Sequence, residues 1–169
     1  DFMYKCAIIG VGGPRAGGLA AAYAHVKRGT LAAVSTRRAE PLEEFGERFG
    51  VQARYRDYRE MLDKEKPDLV HVNTPPDVRL EVFQAAQKAG VAAVLVEKPV
   101  AVQGEDFVEL IRFARQAGPR IGVNHQLHYH PRRLQLQERV AAGAIGELLF
   151  IEASAGMNLA YQGTHMLQA

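Results

Sequence analysis

The chain has 169 residues, 47% of them hydrophobic and 24% charged, with a formal net charge of +2. That composition excludes a disordered chain, and the length suits one domain or one and a fraction. Lys and Arg are interspersed with Asp and Glu, so no nucleic acid is expected as a partner, and no apolar run approaches the ~20 residues of a membrane span. The single cysteine, Cys6, lies in an apolar run, permits no internal disulfide and suits a reducing, cytoplasmic setting.

Taken in chain order, short β-rich runs alternate with longer helical patterns. Strands are expected at 5–10, 31–36, 51–54, 69–73, 93–97 and 121–124, with helices at 17–27, 39–49, 58–64, 78–89 and 104–116 between them. Gly29, Gly50, Gly90 and Gly118 stand where C-terminal glycines would stop the helices. This alternation defines an α/β fold, a doubly wound parallel sheet over residues 1–124. After Asn124 the character changes to a histidine-rich loop, a helix near 132–142 and a strand near 148–154, read as the beginning of an α+β domain over 125–169. Because that last strand would otherwise leave an unpaired edge, the chain is expected to belong to a protein of roughly twice its length.

The first strand runs into Gly10-Val11-Gly12-Gly13-Pro14-Arg15-Ala16-Gly17. Glycines there allow a tight bend and a close backbone approach to a pyrophosphate, while the helix start offers N–H groups and a positive dipole end. Gly10, Gly12, Gly13, Arg15 and Ala16 are therefore candidate cofactor residues. A strict fingerprint would want glycine at Arg15, so either the turn is longer and uses Gly17, or its third position lacks glycine. The second strand ends at Ser35-Thr36-Arg37-Arg38, about twenty residues on, where an acidic residue would hold the 2′-hydroxyl of NAD. Two hydroxyls and two arginines suit a 2′-phosphate instead, which makes NADP the expected cofactor and NAD the alternative.

Asn73-Thr74-Pro75 follows the fourth strand and Glu97-Lys98-Pro99 ends the fifth. With the glycine turn, these motifs resemble the Gfo/Idh/MocA oxidoreductases over essentially the whole chain. Gly143-Ala144-Ile145-Gly146-Glu147 resembles that family's passage into its second domain, and Gly163-Thr164-His165 its Gly-x-His motif. The resemblance implies a Rossmann domain followed by an incomplete substrate domain, and a site at the carboxyl ends of the strands. In that site Asn73, Thr74, Pro75, Glu97 and Gln126 would meet the cofactor, while Lys98 would lie beside the nicotinamide and the reacting hydroxyl. His165 would handle the proton. The chain departs from the family in having Tyr161 and Gln168 where carboxylates are usual, so Tyr161 joins the catalytic candidates.

The implied function is hydride transfer between a nicotinamide cofactor and a carbinol of a sugar, cyclitol or similar small polar molecule. Two other readings stay open: a lyase or glycosidase-type relative that oxidises its substrate transiently, and a non-catalytic dinucleotide-binding regulator. A homo-oligomer formed through the C-terminal sheet is expected. Although His125, His128 and His130 lie close together, no Cys or carboxylate accompanies them in that segment, and no metal is expected.

Overall fold

The computed structural model describes residues 2–116 and 118–152. Six strands form one parallel sheet: Tyr4–Ile9 (β1), Gly29–Ser35 (β2), Ala53–Tyr55 (β3), Leu69–Val72 (β4), Ala93–Glu97 (β5) and Arg120–Asn124 (β6). Their spatial order is β3-β2-β1-β4-β5-β6, the order of two mononucleotide-binding halves placed back to back. The helices are Pro14–Ala22 (α1), Ala39–Phe49 (α2), Tyr58–Glu65 (α3), Arg79–Lys88 (α4), Gly104–Ala114 (α5) and Pro131–Ala141 (α6).

Side chains alternate across each strand, so each face of the sheet buries its own core. Ala7 and Ile9 of β1 join Met61 and Leu62 of α3, Val82 and Phe83 of α4, and Leu110 and Phe113 of α5. Ile8 faces the other way, toward Ala16 and Ala20 of α1 and Leu42 and Phe45 of α2. Local chemistry sets the helix ends. Pro14 occupies the first turn of α1, where its missing N–H costs nothing. Asp57 caps α3 by accepting from the Arg59 N–H at 2.8 Å, and Gly50 ends α2 at φ 68°.

The structure moves several sequence boundaries. Helix α1 starts at Pro14 rather than 17, and after Ala22 the chain tightens into a 3-10 turn, Tyr23–His25, short of Lys27. Gly29 opens β2 instead of stopping a helix; a Cβ there would lie 3.3 Å from Cys6 Sγ, so the glycine serves packing. Helix α5 ends at Ala114 with Arg115 as its right-handed cap, ahead of Gly118. Residues 148–152 are exposed and not in a strand, and Ala153 and Ser154 lie outside the described residues.

Contacts divide the chain into two units, Asp1–Asn124 and His125–Ala169. In the second, Gln126–Tyr129 forms a 3-10 turn, and His130 caps α6 by accepting from the Arg132 N–H at 3.3 Å. Gly143 and Gly146 both have φ 72°, and Leu149, Phe150 and Ile151 are exposed beyond them. Among the described residues no helix is long and apolar enough to cross a membrane, and no three His, Cys, Asp or Glu side chains gather as metal ligands.

Candidate functional site

Neighbouring strands β1 and β4 send their chains to opposite faces of the sheet, which opens a crevice at their carboxyl ends. A cleft of about 560 Å³ lies there, and its charged lining consists of Arg15, Arg37, Arg38, Arg79 and Lys98 against one carboxylate, Glu97. Five cations facing one anion make the cleft a site for an anionic ligand, although the whole chain carries only +2.

One end is made of backbone. Gly10 has φ +95°, and a Cβ on it would lie 2.9 Å from the carbonyl carbon and oxygen of Asn73. No other residue fits without moving main chain. The N–H groups of Gly10 and Val11 donate to the Ser35 carbonyl at 2.8 and 3.2 Å, and Asn73 Nδ2 donates to the Gly10 carbonyl at 3.2 Å. The turn is thereby held by the ends of β2 and β4. A Cβ on Gly12 would lie 2.7 Å from Arg38 Nη2, which donates to the Gly12 carbonyl at 2.6 Å. Helix α1 begins at Pro14, so both Arg15 and Gly17 lie within it. The N–H groups of Arg15 and Ala16, in the first turn, have no partner within the helix.

The other end is made of buried charge. Glu97 is 5% exposed; its Oε1 accepts from Asn124 Nδ2, while its Oε2 has no hydrogen-bond partner and lies 3.6 Å from Arg15 Nη1. Burial lowers the Lys98 ammonium pKa, Arg15 adds to that, and Glu97 opposes it. Thr74 Oγ1 is also buried without a partner.

Of the residues singled out from sequence, Gly10, Gly12, Gly13, Arg15, Thr36, Arg37, Arg38, Asn73, Thr74, Pro75, Glu97 and Lys98 line this one cleft. Ser35, Ala16 and Gln126 are not in that lining. Ser35 is 1% exposed and meets the turn through its carbonyl, because strand alternation points its hydroxyl into the protein. Ala16 is fully buried, packed in the core with Ile8 and Val34. Gln126 belongs to the second unit. Tyr161, His165 and Gln168 lie outside the described residues.

Sequence reading missed Arg79, a cleft residue that is 2% exposed. Its Nη2 donates to the Thr74 carbonyl at 3.0 Å and its Nη1 to the Pro99 carbonyl. The available signal was a cation at the first position of a helix, where the dipole disfavours it.

The strand order and a cationic cleft at the switch point are those of a dinucleotide-binding α/β domain. The chain belongs to the oxidoreductase family with an NAD-binding Rossmann fold, whose family model matches residues 4–125. It is 30% identical over 124 residues to dTDP-3,4-didehydro-2,6-dideoxy-alpha-D-glucose 3-reductase of Actinomadura kijaniata, covering 73% of this chain and 37% of that protein. It is 30% identical over 125 residues to D-glucoside 3-dehydrogenase of Escherichia coli K12, covering 74% and 35%. A solved oxidoreductase from Agrobacterium radiobacter, in complex with NAD+, L-tartaric acid and magnesium, superposes with a TM-score of 0.78 at 25% identity, over 85% of this chain and 42% of that one. The chain thus spans well under half the length of these relatives.

Proposed function

We propose that this chain carries the cofactor half of an oxidoreductase that transfers hydride between NADP and a carbinol of a sugar, cyclitol or related polar molecule. The observation that carries the reading is the cationic cleft at the switch point, with a glycine turn at one end and Lys98 at the other. The lining fits a dinucleotide. Gly10 and Gly12 leave room that a Cβ would fill, and the buried acceptors Thr74 Oγ1 and Glu97 Oε2 await donors such as ribose hydroxyls. Bound nicotinamide would supply the hydride acceptor or donor.

The residues divide the remaining work. First-turn N–H groups of α1 would hold the pyrophosphate, and Glu97 would orient the nicotinamide ribose. Lys98 would hydrogen-bond the reacting hydroxyl and stabilise negative charge as its proton leaves. Its depressed pKa suits that duty, since a lysine nearer neutrality exchanges protons more readily. His165 is assigned the proton itself, with Tyr161 as the substitute.

Preference for the 2′-phosphate rests on the end of β2. Exposed Arg37 and Arg38 and the half-buried Thr36 line that part of the cleft, and none of them is a carboxylate. A cytoplasmic location and assembly as a homo-oligomer belong to the same reading, supported by the lone buried Cys6 and by the family resemblance respectively.

The test uses the full-length protein with NADP+ and a panel of sugars and cyclitols, followed by the absorbance of reduced nicotinamide. Turnover should appear with wild type and vanish in Lys98→Ala, while calorimetry finds dinucleotide affinity in the variant within a few-fold of wild type. Full turnover by Lys98→Ala would remove that lysine from the reaction. His165→Ala should slow turnover by roughly a hundred-fold, and little change would transfer the proton to Tyr161.

A further inference from the structure

We infer that Arg79 is a positioning residue that staples together the two loops forming the reactive end of the cleft, so that Lys98 is held in place from behind. The inference rests on the reading of Lys98 as the group beside the reacting hydroxyl.

Arg79 stands where a cation is doubly disfavoured. It opens α4, whose N-terminal dipole end repels positive charge. It is also 2% exposed, and burial pulls its pKa down against the attraction of Glu97. Helix stability and core packing alone would both prefer an apolar residue of similar volume. The compensation is visible in its partners. One nitrogen of the planar fork donates to the Thr74 carbonyl in the loop after β4, and another donates to the Pro99 carbonyl in the loop after β5.

Those loops are poor at holding one another. Pro75, Pro76 and Pro99 have no N–H, so the two segments lack those main-chain donors. Arg79 supplies two donors in one rigid group, which a lysine cannot reproduce because its ammonium is a point charge without a fixed fork. Pro99 directly follows Lys98, and Thr74 carries the unpartnered hydroxyl on the facing loop. A guanidinium fixing both carbonyls therefore fixes the polar groups that face the ligand from either side.

The experiment compares wild type, Arg79→Met and Arg79→Lys in the full-length protein. Amide hydrogen exchange should speed by roughly ten-fold in both loops, at 73–74 and 97–101, in Arg79→Met, with the rest of the sheet unchanged and the melting temperature within a few degrees. Lys98, probed by an amine-acylating reagent and peptide mass spectrometry, should change its labelling rate several-fold. Affinity for NADP should weaken only through the loosened Thr74 and Glu97, the glycine turn being untouched, and kcat should fall by a larger factor than affinity. Arg79→Lys should restore the charge without restoring protection of both loops.

Unchanged exchange in the two loops would overturn the inference, as would exchange rising throughout the sheet together with a collapse in melting temperature. Full rescue by Arg79→Lys would overturn the stapling geometry by showing that charge alone suffices. Failure of the parent reading looks different: wild type then binds neither NADP nor NAD, while exchange and labelling in the variants still report on the staple.

Discussion

The two ends of the cleft are built on opposite principles. At the glycine turn the ligand-facing groups are main chain, the necessary residues are neighbours in sequence, and the nearby arginines are exposed. At the far end the groups are side chains, three of them buried or half-buried charges, brought together from β5, its following loop and the start of α4. Backbone sites tolerate little change of shape but carry no net charge to bury. A buried-charge site can tune reactivity through its surroundings, at the cost of needing every partner in place.

The largest test of this contrast is steric. Gly10→Ala should lower stability by roughly 2–4 kcal/mol in urea denaturation, because the new Cβ meets the Asn73 main chain in a left-handed conformation. A loss under about 1 kcal/mol would show that the ends of β1 and β4 can part freely.

Next comes pH, which should act through buried groups rather than exposed ones. His71 of β4 is 8% exposed, its Nε2 hydrogen-bonded with the Tyr23 hydroxyl at 2.7 Å, and burial lowers its pKa from 6.5 to about 4. The native state keeps the ring neutral, whereas the unfolded chain takes up a proton once the pH falls below about 6.5. Stability from this residue is therefore complete above that pH and declines as the pH drops toward 4, by about 3 kcal/mol in all. Denaturation curves across that window should show this slope in wild type and lose it in His71→Gln.

A smaller effect belongs to the exposed arginines. Arg38→Ala should weaken NADP by roughly ten-fold and leave NAD nearly unchanged, by calorimetry at moderate salt. Arg37→Ala should do less, since only Arg38 is anchored on the turn, through the Gly12 carbonyl. Equal affinity for the two cofactors, unaltered by either substitution, would return the assignment to NAD. The smallest effect is the control for Gly10. Gly13 has φ −109° with nothing within 4 Å of a Cβ, so Gly13→Ala should cost no more than about 1 kcal/mol.

The amino-acid sequence by itself determined the alternation of strands and helices, the place of the glycine turn and most of the cleft lining. Each of those is a local signal: a change of hydrophobic period, a glycine or proline at a fixed offset, a short motif at a strand end. The tertiary structure decided what depends on direction and distance. Ser35 looked available from its position in the chain, but the twofold alternation of β2 turns its hydroxyl inward. Gly12 looked like a concession to the ligand, yet its missing Cβ also leaves space for the Arg38 guanidinium. Arg79 was not singled out from the sequence at all. Only the fold, by bringing the loops after β4 and β5 over the start of α4, makes it a buried donor between two carbonyls, because sequence spacing records neither burial nor which distant acceptors a side chain will meet.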